Sequence, residues 1–299
     1  MMPTTHPLVT VLVPTYNRAS FLKETIDSVL TQNFSDFELL VVDNHSTDNT
    51  YDVVHSYLDP RIRYVCNDSN LGIIGNYNRG LRESVGDYIY LLSDDDIMCD
   101  ESNLKLKVDV LEKFSNVSMV FSSFKTINSH GKVVGGNWAE TSSIWPKVAA
   151  TPLISGHEAF HLLYNNWNFI CMHTVLVRRS TLVKYNIQFS NQLKYLLDWA
   201  LWLHLSLVSD LYYLSDVLVS YRVHESNTTK TISFENYAIE LLSIKAGLAS
   251  LFYASSEIVP KDFESIKKSV ELQIGGSNEG WIKGKLNRIK NIVLNKDNS

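Results

Sequence analysis

Five short apolar runs, Val9 to Val13, Phe37 to Val42, Ile62 to Cys66, Tyr88 to Leu92 and Val117 to Phe121, punctuate the first 124 residues. Helix-period stretches separate them, such as the one marked by Leu22, Ile26, Val29 and Leu30 and the one marked by Leu104, Val108 and Leu111. Strands that are apolar throughout, alternating with helices, predict an α/β protein with a mostly parallel central sheet covered on both faces. In such sheets ligands bind beyond the carboxyl ends of the strands. Here those ends carry Thr15 to Arg18, Asp43-Asn44, Asn67-Asp68 and Ser93 to Asp96, so the polar chemistry is expected on one rim.

The rim's most pointed feature is the triplet Asp94-Asp95-Asp96 behind Tyr88 to Ser93. Adjacent carboxylates repel, and a divalent cation bridging to phosphate oxygens would offset them. Turn formation and helix capping are the plainer alternative, since Asp serves both.

Beyond Phe124 the pattern changes. A hairpin over Phe124 to Gly136, an irregular aromatic stretch through Trp138 and Trp145, and a helix over His157 to Tyr164 are predicted. A strand over Phe169 to Val177, a helix over Leu197 to Val208, and two strands, Leu211 to Leu214 and Val217 to Val223, follow. Residues 229–299 read as a C-terminal helical extension of a catalytic domain over 1–228, itself divided into halves 1–124 and 125–228.

With 299 residues, 45% of them hydrophobic and 20% charged, the composition is globular. The net charge of -5 argues against nucleic acid as a partner. Cys66, Cys99 and Cys171 show no metal-ligand spacing and read as reduced thiols. Met1 to Pro7 lacks a secretion-signal profile, and no run approaches the length of a membrane span, so a cytoplasmic location is expected.

Four segments together resemble the inverting glycosyltransferases of family 2, which have the GT-A fold: "PLVTVLVPTYNR" (Pro7 to Arg18), "LLVVDNHSTDNT" (Leu39 to Thr50), "NLGIIGNYNRGL" (Asn70 to Leu81) and "YIYLLSDDDI" (Tyr88 to Ile97). Their order and spacing carry the likeness, which runs over about residues 7 to 228. The resemblance implies that Pro14, Thr15, Tyr16, Asn17, Arg18, Asp43, Asn70, Gly72, Asn78 and Asp94 surround a nucleoside diphosphate sugar, with Asp43 on the base. Asp95 aligns with the metal-binding acid, and Ser93 replaces the first acid of that pair, leaving Asp94 or Asp96 to compensate. Asn44 replaces a frequent second acid, and Tyr77 stands where an arginine is usual.

In the second half "LLDWALWLHL" (Leu196 to Leu205) resembles the family's acid-Asp-Trp helix, which makes Asp198 the general base and puts Leu197 in place of the preceding acid. "VSYRVHESNTT" (Val219 to Thr229) resembles the segment that returns a histidine, here His224, to the metal. An imidazole beside carboxylates suits Mn²⁺ better than Mg²⁺. Arg222 is read as pairing with a nearby carboxylate, and Trp138, Trp167 and His173 as an acceptor surface or as core.

The implied acceptor is a hydroxyl of a glycan or lipid-linked glycan, in surface polysaccharide assembly. Residues 281–296 carry five basic side chains, Lys283, Lys285, Arg288, Lys290 and Lys296, and no acid. Such a helix reads either as a peripheral membrane contact or as packing on the catalytic domain. Two rivals stand beside the transferase. A sugar-phosphate nucleotidyltransferase would want a Gly-rich basic loop after the first strand, which Pro14 to Arg18 does not offer. A catalytically silent carbohydrate-binding protein is suggested by Ser93, Asn44 and Leu197.

Overall fold

The computed structural model of the chain describes residues 6–166, 168–225, 227 and 236–245. Two compact units divide the chain, Met1–Lys230 and Thr231–Ser299. In the second unit residues 236–245 form a helix. The predicted extension over 229–299 otherwise lies outside the described residues, as do the basic segment 281–296 and Trp167. Among the described residues no helix is long and apolar enough to cross a membrane.

The first unit is built on one sheet. Strands β1 (Val9–Thr15), β2 (Phe37–Asp43), β3 (Ile62–Cys66) and β4 (Tyr88–Leu91) are mutually parallel in the order β3-β2-β1-β4. Every residue of β1, β2 and β4 is buried, as continuous apolar runs require when both faces are covered. β1 runs beyond the apolar stretch Val9 to Val13 through Pro14, which pairs in register with Val42. The short β5 (Ile97–Met98) follows the acidic triplet.

Helices α1 (Ala19–Leu30), α2 (Thr50–His55), α3 (Gly72–Glu83) and α4 (Asn103–Lys113) make the crossovers. Leu22, Ile26 and Val29 of α1 face the same apolar cluster as Val11, Val13 and Leu39, each such side chain contributing ~1.5–3 kcal/mol on full burial. Gly86 lets the turn before β4 approach β1, because a Cβ there would stand 2.5 Å from the backbone nitrogen of Thr10.

The second half widens the sheet in a way the sequence did not show. Strand β6 (Val117–Asn128) turns at residues 129–132 into β7 (Val133–Gly135), as the hairpin predicted. A short 3-10 turn (Trp138–Thr141), α5 (Trp145–Ala150) and β8 (Leu153–Ile154) occupy the stretch expected to be irregular. Helix α6 (Gly156–Asn165) precedes a 3-10 turn (Met172–Thr174) and β9 (Val175–Arg178). The strand expected over Phe169 to Val177 therefore starts six residues later. β9 inserts antiparallel between β4 and β6. After α7 (Arg179–Lys184) and α8 (Leu197–Ser206), the two short strands expected over 211–223 are one strand, β10 (Asp210–Val223). It pairs parallel with β6, and its register shifts between Leu214 and Val217, where Ser215 and Asp216 are exposed.

Two reversals through β9 leave β6, and with it β10, running in the same direction as β4. The end of β10 and the start of β9 consequently face the rim that carries Ser93 to Asp96.

Candidate active site

Three chain segments meet at that rim. Asp95 Oδ2 lies 2.8 Å from Nε2 of His224, across 129 residues of sequence. Both side chains are buried. The imidazole stacks on Phe21 of α1, with centroids 4.8 Å apart, and Asn227 Oδ1 accepts the backbone N–H of His224. Arg18, at the start of α1, brings Nη1 to 2.9 Å from His224 Nε2 and 3.7 Å from Asp95 Oδ2.

The third aspartate has a different task. Asp96 is fully buried; Oδ1 accepts the backbone N–H of Arg222 over 2.7 Å, and Oδ2 forms an ion pair with Nδ1 of His173. Burial opposes a charge on each group. Asp96 nevertheless lifts the His173 imidazole well above its ordinary value, whereas burial keeps the Asp96 carboxyl raised. His173 is thus the ion-pair partner of the buried Asp96, with its side chain 16% exposed. The signal that could have found it is the triplet itself, since an aspartate buried beside two others needs a cation of its own.

Arg222 is completely buried. Its Nε donates to the carbonyl of Asp95 at 2.8 Å, Nη1 to the carbonyl of Ser129 at 3.2 Å, and Nη2 to Glu24 Oε2 at 2.6 Å. The expected carboxylate partner exists, and backbone carbonyls share the guanidinium with it.

Burial pushes the Asp94 carboxyl up to about 7, reinforced by the adjacent Asp95 and opposed by Thr15, Arg18 and the backbone of Tyr16. Asp198 is the second residue of α8, whose N-cap is Leu196, so it does not cap the helix. Oδ1 accepts the Trp199 N–H at 2.8 Å, and Oδ2 accepts the Asn168 side-chain amide at 2.8 Å. Burial raises the Asp198 carboxyl to about 6, while those donors and the charge on His173 restrain the rise. Asn168, which the sequence did not single out, fixes the carboxylate's orientation.

The other predicted residues divide. Asp43, at the end of β2, accepts the Ser46 N–H at 2.9 Å and the Tyr64 hydroxyl at 2.5 Å. Asn17, at φ 53°, accepts the Thr47 N–H at 2.7 Å and donates its own N–H to Ser46 Oγ at 2.9 Å. The loops after β1 and β2 are thereby joined, with Tyr16 exposed beside them. Asn70 accepts from Gly72 N–H and from Asn44 Nδ2, both at 2.8 Å. Gly72 has φ 72°, a left-handed conformation that suits glycine.

Asn44 donates to Asn70 and accepts from Asn67 Nδ2 at 2.9 Å and from the Leu71 N–H at 2.8 Å. The amide that replaces an acid is a staple between two loops. Asn78, which the resemblance puts around the nucleotide, is buried. Its Nδ2 donates to the Phe189 carbonyl at 2.8 Å and its Oδ1 accepts the Phe189 N–H at 3.0 Å, so both ends of the amide clasp the backbone of one residue. A polar cleft lined by Ser155–His157, Ser206–Asp210 and Arg178 lies at the opposite ends of β6 and β10 and holds none of the predicted residues.

Asp95 and His224 fit a divalent cation. Two ligands at right angles, each ~2.1 Å from a cation, stand about 3 Å apart, close to the observed separation. Among the described residues no third His, Cys, Asp or Glu joins them. A cation there would draw its remaining ligands from water and phosphate oxygens, the usual habit of a hard cation at a nucleotide.

A family model described as "Glycosyl transferase family 2" matches residues 10–185, more than half of the chain. The Escherichia coli protein "UDP-Glc:alpha-D-GlcNAc-diphosphoundecaprenol beta-1,3-glucosyltransferase WfgD" is 29% identical over 196 residues, which covers 66% of this chain and 68% of that one. Among solved structures, S. aureus TarS 1-349 in complex with UDP-GlcNAc is similar with a TM-score of 0.62 at 19% identity, covering 82% of this chain and 72% of that one. Mannosyltransferase PcManGT from Pyrobaculum calidifontis, in complex with GDP-Man and Mn2+, is similar with a TM-score of 0.61 at 19% identity, covering 88% of this chain and 69% of that one. These structural likenesses show the GT-A fold.

Proposed function

Because the chain belongs to glycosyl transferase family 2, we propose that it moves a sugar, with inversion, from a nucleoside diphosphate sugar to a hydroxyl of a lipid-linked glycan. The observation that carries this reading is the meeting of Asp95 with His224 on the rim that also holds the loops of Asp43 and Arg18. The lipid-linked acceptor named for the Escherichia coli relative, the UDP-GlcNAc of the TarS complex and the GDP-Man and Mn2+ of the PcManGT complex support the substrate classes and the metal.

In this mechanism residues 1–124 hold the nucleotide and 125–228 the acceptor. Asp43 and the joined loops at Asn17 and Ser46 bind the nucleoside, and Asp94 and Arg18 flank the diphosphate. Asp198 takes the proton of the acceptor hydroxyl as that oxygen bonds to the anomeric carbon. The bond from that carbon to the diphosphate oxygen breaks, and its electron pair departs with the nucleoside diphosphate. Attack opposite the leaving group inverts the centre in one displacement, so no nucleophilic carboxylate is required. A carboxyl near 6 is ionised at neutral pH yet basic enough to accept a proton in the transition state. A divalent cation held by Asp95 and His224 would stabilise, as a Lewis acid, the charge developing on the diphosphate. A lipid-linked acceptor places the reaction at a membrane surface. The cytoplasmic location and the contact through 281–296 belong to the same reading.

The test incubates the chain with Mn²⁺, a GlcNAc-diphospholipid acceptor and UDP-Glc, UDP-GlcNAc or GDP-Man, and assigns the anomer of the product by NMR. Inverted product is expected from one donor, and Asp198→Asn should slow transfer by about 10²–10⁴-fold while retaining Mn²⁺ and nucleoside diphosphate binding. Retained configuration, or wild-type transfer by the variant, would refute the mechanism.

A further inference from the structure

Three side chains, Arg18, Asp95 and His224, share one point at the rim. His224 Nε2 is 2.8 Å from Asp95 Oδ2 and 2.9 Å from Arg18 Nη1. A ring nitrogen either carries a hydrogen or offers a lone pair. With a hydrogen, Nε2 donates to Asp95 and leaves Arg18 Nη1 only the Nδ1 lone pair, at 3.5 Å, the long end of a hydrogen bond. With a lone pair, it accepts from Arg18 and sets that lone pair against a carboxylate oxygen. A divalent cation there would take one lone pair from Asp95 and one from His224. It could not share the place with a guanidinium whose Nη1 lies 2.9 Å from one ligand atom and 3.7 Å from the other.

We infer that Arg18 is the internal occupant of the cation site and couples cation binding to nucleoside diphosphate binding. The inference rests on the cation reading above and adds regulation of that same site. Without nucleotide, the guanidinium stands on Asp95 and His224 and opposes a divalent cation by charge and by position. A diphosphate arriving beside the loop Thr15–Arg18 supplies the anionic oxygens that a guanidinium chelates in bidentate fashion. Drawing Arg18 away uncovers the two ligands at the moment when phosphate oxygens can complete the coordination. The Arg18 side chain is 21% exposed, whereas that of Arg222 is 1% exposed. By reciprocity, the cation strengthens nucleotide binding by the same factor.

Mn²⁺ titrations followed by the EPR signal of the free ion, with and without UDP or GDP, test this. In the wild type the effective nucleotide should tighten Mn²⁺ binding by roughly tenfold or more. Arg18→Gln should bind Mn²⁺ more tightly than wild type without nucleotide, and the gain from nucleotide should shrink to about twofold. Arg18→Lys, which keeps the charge, should restore weak binding without nucleotide. Equal Mn²⁺ affinity of wild type and Arg18→Gln without nucleotide would overturn the inference and leave the cation site standing. Mn²⁺ binding unchanged by Asp95→Asn would overturn the cation reading itself, and this inference with it.

Discussion

The backbone N–H of Arg222 donates to the carboxylate of Asp96 over 2.7 Å, and its Nε donates to the carbonyl of Asp95 over 2.8 Å. One residue thus fastens the end of β10 to the acidic loop after β4. His224 follows two positions later, so this fastening sets the separation between Asp95 and His224. The Glu24 partner of the same guanidinium is 53% exposed, which weakens the ion pair through solvent screening.

The carbonyl bonds of Arg222, more than its ion pair, should therefore carry its contribution to stability. Arg222→Met leaves the buried Asp95 carbonyl and the part-buried carbonyls of Asn128 and Ser129 without that donor and is expected to cost about 2–4 kcal/mol. Glu24→Gln should cost less than about 1 kcal/mol. Urea midpoints of the two variants decide. Equal losses would return the weight to the ion pair.

Gly86 offers a test of the scaffold remote from the chemistry. A Cβ there would meet Thr10 N at 2.5 Å and Val9 C at 2.7 Å, both backbone atoms of a fully buried strand. Neither can rotate aside, so Gly86→Ala should destabilise by about 2–4 kcal/mol. Transfer per folded molecule should be unchanged, as measured by activity normalised to the folded fraction.

The amide cluster of Asn44, Asn67, Asn70 and Asn76 should behave as one unit. Asn67 Nδ2 donates to Asn44 Oδ1 at 2.9 Å and to Asn76 Oδ1 at 2.8 Å, and Asn76 Nδ2 donates to the Val42 carbonyl at 2.9 Å. Asn44→Ala strands the Leu71 N–H and one Asn67 donor, and about 1–3 kcal/mol should be lost. A double-mutant cycle with Asn67→Ala should show a coupling of at least about 0.5 kcal/mol. Strict additivity would mean that the amides act separately.

The rim was legible because the parallel strands announce themselves as unbroken apolar runs and their polar ends must share one edge. Asp95 and His224 were paired through the family resemblance; 129 intervening residues give no spacing signal. Three features stayed hidden for physical reasons. β9 reads as one long apolar stretch from Phe169, and only tertiary pairing with β4 and β6 decides where extension begins and which way the strand runs. The bulge of β10 interrupts alternation at Ser215-Asp216, which on the page looks like a turn between two strands. The backbone partner of Asn78 stayed hidden because a side-chain amide can serve a ligand or a main chain equally, and Phe189 lies 111 residues away in sequence.

Asp198 links activity and stability with opposite signs. Its carboxyl stands at about 6 in the folded chain and near the ordinary 3.8 when unfolded. A raised acid means that the folded state binds the proton more tightly, so the ionised form is penalised at every pH above about 6 and the penalty fades as pH falls toward 4. Asp198→Asn should therefore be more stable than wild type at pH 8, by about 1–2 kcal/mol once partial exposure is allowed for, and the difference should close near pH 4. Activity runs the other way. Protonation removes the base, so wild-type kcat/KM should fall about tenfold per unit below an apparent value near 6. The variant should lose about 10²–10⁴-fold in kcat at pH 8 with donor KM little changed. Paired urea titrations and initial rates between pH 5 and 8 check both limbs. A variant less stable than wild type at pH 8 would show that the carboxylate is held by its donors for structure rather than kept basic for proton transfer.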